Sequence, residues 1–64
     1  MRLLTLREVC EITGLSRSSI YAMMAAGEFP RPVRIGARAV RWYENEVRAF
    51  IANRPRAGSN RSMK

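Results

Sequence analysis

The sequence contains no histidine and no aspartate, and only one cysteine and one lysine. A metal site would have to be assembled from Cys10 and scattered glutamates, which matches no familiar ligand spacing, so neither a metal nor a cofactor is expected. Cys10 has no second thiol for a disulfide and no histidine to activate it as a nucleophile. It reads as a small apolar residue on a helix face, and a single unpaired thiol suits a reducing cytosol. Long hydrophobic runs are also missing. The N-terminal apolar stretch is broken by Arg7 and Glu8, so it fits neither a secretory leader nor a membrane span. At 64 residues there is room for one small core, which buries about 60% of the unfolded surface, and a deep catalytic cleft is hard to build on it. An enzyme is not expected.

What is present is arginine. The formal net charge is +7, and the bases are almost all arginine, whose planar fork of donors matches phosphate and the guanine edge. The charge is unevenly spread. Residues 54–64 hold Arg54, Arg56, Arg61 and Lys64 and no acid, and Glu28 is followed by no further acid until Glu44.

Local signals predict two consecutive helices. Thr5 and Glu8 have capping-box spacing, Leu6, Val9, Cys10 and Thr13 follow helical periodicity, and Gly14 is a stop, which places the first helix at 6–13. Ser16 is a good N-cap for a second helix from Arg17 to Ala26, closed by Gly27. Helix, short glycine-containing turn, helix is the helix-turn-helix layout. Pro30 and Pro32 then rule out helix in the connecting segment.

Val33-Arg34-Ile35 and Ala39-Val40-Arg41-Trp42, joined through Gly36-Ala37-Arg38, read as a β-hairpin. Alternation suggests an apolar underside of Val33, Ile35, Val40 and Trp42, with Arg34 and Arg41 opposite and Arg38 at the turn. A last helix begins near Tyr43, with Glu44 and Glu46 in its first turn, an apolar face of Val47, Phe50 and Ile51, and Pro55 as its end. The fold expected is mainly α with a small β-hairpin, a winged helix-turn-helix in the order helix-helix-strand-strand-helix. Residues 1–54 form its domain and 55–64 a basic, disordered tail.

On the second helix, Ile20, Met23 and Met24 face inward with Leu15 and Phe29. The opposite arc carries Arg17, Ser18, Tyr21, Ala22 and Ala25, short or hydrogen-bonding side chains near the end that a recognition helix presents to base edges. Ser16 reads first as a cap, with a phosphate contact as its other use. Ser19 stays open between a DNA contact and a small residue beside the first helix, and Tyr21 between DNA and packing on the wing. Arg34, Arg38 and Arg41 are candidate phosphate or minor-groove contacts of the wing.

The runs Leu15-Ser16-Arg17-Ser18-Ser19-Ile20-Tyr21, Gly27-Glu28-Phe29-Pro30-Arg31-Pro32-Val33-Arg34-Ile35-Gly36 and Arg38-Ala39-Val40-Arg41-Trp42 resemble the AlpA-type phage and prophage regulators. These are relatives of small excisionases and of MerR-like winged helix-turn-helix proteins. The resemblance covers roughly residues 3–54. It implies transcriptional control of prophage or mobile-element genes, with Arg17, Ser18, Ser19 and Tyr21 on the recognition helix and Arg38 and Arg41 on the wing. Ala22 departs from the basic or polar residue that many members carry there, which shifts electrostatic work toward the wing and tail.

The partner expected is double-stranded DNA, bound by a dimer or cooperative oligomer, in a cytoplasmic, nucleoid-associated protein. A recombination directionality factor acting beside an integrase is the main alternative, and an interaction adaptor on the same fold is a lesser one. A membrane-active peptide would need one long amphipathic helix, and an RNA binder would show stacking aromatics on an open sheet.

Overall fold

The computed structural model describes residues 2–55. All but the first residue of the expected 55–64 tail lies outside the described residues. The elements are β1 (Leu3–Leu4), α1 (Leu6–Thr13), α2 (Arg17–Ala25), β2 (Val33–Arg34), β3 (Val40–Tyr43) and α3 (Glu44–Ala52). Three helices and a small antiparallel sheet in the order β1-β3-β2 make the winged helix-turn-helix arrangement.

The helix ends follow from local chemistry. The Glu8 N–H donates to Thr5 Oγ1 at 3.1 Å and the Thr5 N–H donates back to Glu8 Oε1 at 2.8 Å, so two orphan donors of α1 are satisfied reciprocally. Gly14 takes the left-handed conformation (φ 74°) and its N–H closes on the Cys10 carbonyl at 2.8 Å. Thr13 then ties down the turn: its hydroxyl donates to the Val9 carbonyl and accepts from the Leu15 N–H. Ser16 caps α2 by accepting from the Ser19 N–H at 3.1 Å. At its other end Gly27 is left-handed (φ 76°), with Glu28 N–H on the Met23 carbonyl and Gly27 N–H on the Met24 carbonyl, a Schellman closure.

Every element except β2 contributes one fully buried residue. Leu4, Val9, Ile20, Trp42 and Val47 come from β1, α1, α2, β3 and α3, and Phe29 comes from the α2–β2 turn. Leu15, Met23 and Met24 pack on this cluster as expected. Trp42 is fully buried, and its Nε1–H donates to the Pro30 carbonyl at 2.9 Å. The indole thereby fixes the segment joining α2 to the hairpin. Phe29 meets Phe50 edge-on with centroids 4.6 Å apart.

The structure departs from the sequence expectation in four places. First, β1 is an added strand, pairing Leu3 with Tyr43 and Leu4 with Trp42. It also serves α3, whose N-cap Tyr43 makes no side-chain bond: the Glu44 N–H donates to the Arg2 carbonyl at 2.9 Å. Second, the hairpin register is one residue off the alternation expected. Val33 pairs with Arg41 and Arg34 with Val40, and directly opposed residues share a face. Arg34 therefore lies on the side of Val40 and Trp42, while Arg41 shares the outer side with Val33. The two arginines do not form one surface. Third, β2 ends at Arg34, and Ile35 is 51% exposed instead of lining the underside. Fourth, α3 stops at Ala52, short of Pro55, and Ile51 is 40% exposed because only Val47 and Phe50 reach the core.

Candidate nucleic-acid interface

The outward arc of α2 is open. Arg17, Ser18, Tyr21, Ala22 and Ala25 are all exposed, while Ile20 on the opposite side is fully buried. Tyr21 is 48% exposed. The arc starts with a long basic side chain, and apart from Tyr21 it continues with the small side chains of Ser18, Ala22 and Ala25, which leave the helix backbone open to close approach. Ser19 is different. It is half-buried, and its hydroxyl accepts from Ser16 Oγ at 3.0 Å, so the two serines occupy one another within the first turn.

The hairpin arginines stand in unlike surroundings. Arg41 is half-buried and donates to the Val40 carbonyl at 2.8 Å. Arg34 is exposed and folds over the loop to donate to the Ala37 carbonyl at 3.2 Å. Arg38, at the loop itself, is exposed and makes no hydrogen bond to the protein among the described residues.

Ion pairing divides the charges sharply. Among the described residues the pairs are Arg2 with Glu8 (3.1 Å) and Glu44 (3.7 Å), Arg7 with Glu11 (3.7 Å), and Arg48 with Glu44 (2.9 Å). All involve α1, α3 and Arg2, the residue just before β1. Arg17, Arg31, Arg34, Arg38 and Arg41, on α2, the connecting turn and the hairpin, have no carboxylate partner among those residues. Arg54 lies over the Phe50 ring at 5.1 Å. The backbone N–H of Thr5, reinforced by the charge of Arg2, holds the Glu8 carboxyl below the usual carboxylate range, and this belongs to the helix cap.

No cluster of three or more potential metal ligands occurs among the described residues, and none of their helices is long and apolar enough to cross a membrane. Residues 2–55 match the family model described as Prophage CP4-57 regulatory protein (AlpA). The chain belongs to the AlpA family. The chain is also similar to the uncharacterized protein ORF88 of Enterobacteria phage P4, 45% identical over 53 residues, which is 83% of this chain and 60% of that protein. The match thus spans about 60% of the length of that relative.

Within this AlpA-family fold, sequence reasoning missed Arg31. It is exposed, without a carboxylate partner, and set between Pro30 and Pro32 on the segment that Trp42 holds. The signal was available: two prolines restrict the backbone on either side of a lone base.

Proposed function

We propose that this chain is a sequence-specific, non-catalytic regulator that binds double-stranded DNA and controls prophage or mobile-element genes. The observation that supports it is the segregation of charge. The arginines at residues 2, 7 and 48 are paired with glutamates, whereas those at 17, 31, 34, 38 and 41 have no carboxylate partner among the described residues. An α-helix fits the major groove, and in this reading α2 enters it with Arg17, Ser18, Tyr21 and Ala22 toward the base edges. Ser16 and Ser19 set the helix start, where backbone N–H groups suit a phosphate. The hairpin meets the adjacent backbone through Arg38 at its loop, with Arg34 and Arg41 reaching phosphates from its two opposite faces. Residues 1–54 are the binding domain, and the basic segment that follows adds sequence-independent attraction. A single module of this size buries on the order of 600–1,000 Å² on DNA, so useful specificity calls for two or more copies on neighbouring sites. The protein works in the cytoplasm, at the nucleoid.

Selection from a random duplex library with the full chain, followed by footprinting on the source genome, tests this. The expected result is one enriched motif located at promoters, with Arg17→Ala costing about 1–3 kcal/mol and relaxing preference at one position. Enrichment of no duplex sequence, or equal binding to single-stranded RNA, overturns the DNA reading. Tandem sites confined to a recombination locus overturn the promoter role and favour an integrase-associated one.

A further inference from the structure

The hairpin tip has features that phosphate contact alone does not require. Ile35 is the most exposed large aliphatic side chain among the described residues, at 51%, and lies just past the end of β2. Its backbone is nevertheless fixed, because the Ile35 N–H donates to the Ala39 carbonyl at 2.9 Å and closes a loop of Gly36, Ala37 and Arg38. Everything else there is small: apart from Ile35 and Arg38, residues 35–39 carry no side chain larger than a methyl group. Arg38 is free of protein partners among the described residues, and Arg34 reaches back over the loop to Ala37.

The minor groove is about 6 Å wide and lined by phosphates, so it admits a slim loop and rejects a bulky one. Apolar side chains carried into it by basic elements wedge against base steps and kink the duplex, most easily at steps without the guanine amino group. A protein partner for the same tip would have to accommodate one isoleucine together with two arginines, Arg34 and Arg38, which favours a polyanion over an apolar pocket. Resting on the DNA-binding reading above, we propose that Ile35 is an apolar wedge in the minor groove, with Arg38 and Arg34 on the flanking phosphates, and that the tip bends the site.

The test uses the full chain and its selected duplex, with donor and acceptor dyes at the duplex ends. Wild type is expected to shorten the end-to-end distance. Ile35→Ala is expected to bind about tenfold more weakly, to leave the salt dependence unchanged because no phosphate contact is lost, and to abolish the bend. Substituting inosine for guanine at the wing-facing steps removes the minor-groove amino group and leaves the major groove intact. It should tighten wild type and leave Ile35→Ala unaffected. Ile35→Val, keeping most of the wedge, should retain bending. If wild type binds the duplex while Ile35→Ala bends it equally and responds equally to inosine, the wedge is wrong and the DNA reading stands. If wild type binds no duplex, the reading beneath it fails. Thermal melting of each variant separates these results from unfolding.

Discussion

Exchanging one unpartnered arginine and one paired arginine for alanine gives opposite expectations from the same loss of charge. Arg38 has no carboxylate near it, whereas Arg48 donates to Glu44 through both Nε (3.0 Å) and Nη2 (2.9 Å). A phosphate contact releases about 0.9 of a condensed counterion on average, so an interface that neutralises about five phosphates gives log K against log salt a slope of about −4.5. Arg38→Ala removes about 0.9 from that slope. Across a fourfold rise in salt, wild type should therefore lose about 3.5 times more affinity than this variant. Arg48→Ala should leave the slope where it is, since its charge is already matched within the protein. Any contribution from the basic residues beyond Pro55 is common to all variants and cancels in the comparison. The measurement is fluorescence anisotropy of a labelled duplex at 50 to 200 mM salt. Equal reductions for Arg38→Ala and Arg48→Ala would refute the reasoning, because binding would then follow net charge regardless of which side chains glutamate holds.

Three further outcomes concern the scaffold. Trp42→Phe keeps an aromatic in the core but leaves the Pro30 carbonyl without its donor and opens a small void, so stability should fall by about 2–4 kcal/mol, a large part of what a chain this size possesses. A denaturant midpoint equal to wild type would show that the indole bond does not hold the connecting turn. Gly27→Ala meets no atom within 4 Å but carries a Cβ at φ +76°, so strain alone should cost about 1 kcal/mol, with Gly27→Asn costing less, both read as melting temperature. Glu8 titrates below its usual value of 4.5 in the folded chain, so it stabilises the fold above that pH and the benefit disappears as pH falls through the lowered value. Glu8→Gln preserves the capping geometry and cannot titrate, so its melting temperature should decline less than wild type between pH 5 and about 3. Parallel declines would assign the acid sensitivity elsewhere.

The parts of this fold that were legible in the sequence are those whose signals are local. Thr5 with Glu8, Gly14, Ser16 and Gly27 each act on a backbone group a few residues away, so the bounds of α1 and the ends of α2 follow from reading along the chain. Pairing across the sheet is not local. Leu3 and Leu4 are too few to show alternation, and their strand exists because Tyr43 and Trp42 lie opposite. The hairpin faces were misassigned for a related reason. Alternation fixes the faces within each strand, but the loop at residues 36–38 decides which face of one meets which face of the other, and a shift of one residue exchanges them. The outward arc of α2 was readable from helical spacing, since one buried side chain, Ile20, orients the whole wheel. Arg31 was overlooked because its segment was read only as an interruption between helix and strand.

The Arg2 carbonyl that receives the Glu44 amide makes the start of the described domain and the start of its last helix mutually dependent. Peeling away the first few residues strips a strand from Trp42 and uncaps the last helix in the same event. The start of the last helix and the first strand are therefore expected to open together, and amide exchange at Leu4 and Glu44 should report a single opening. A cargo or tether fused ahead of residue 2 would pull on that joint, on the side of the molecule that carries the paired charges, and leave the arginine-bearing helix untouched.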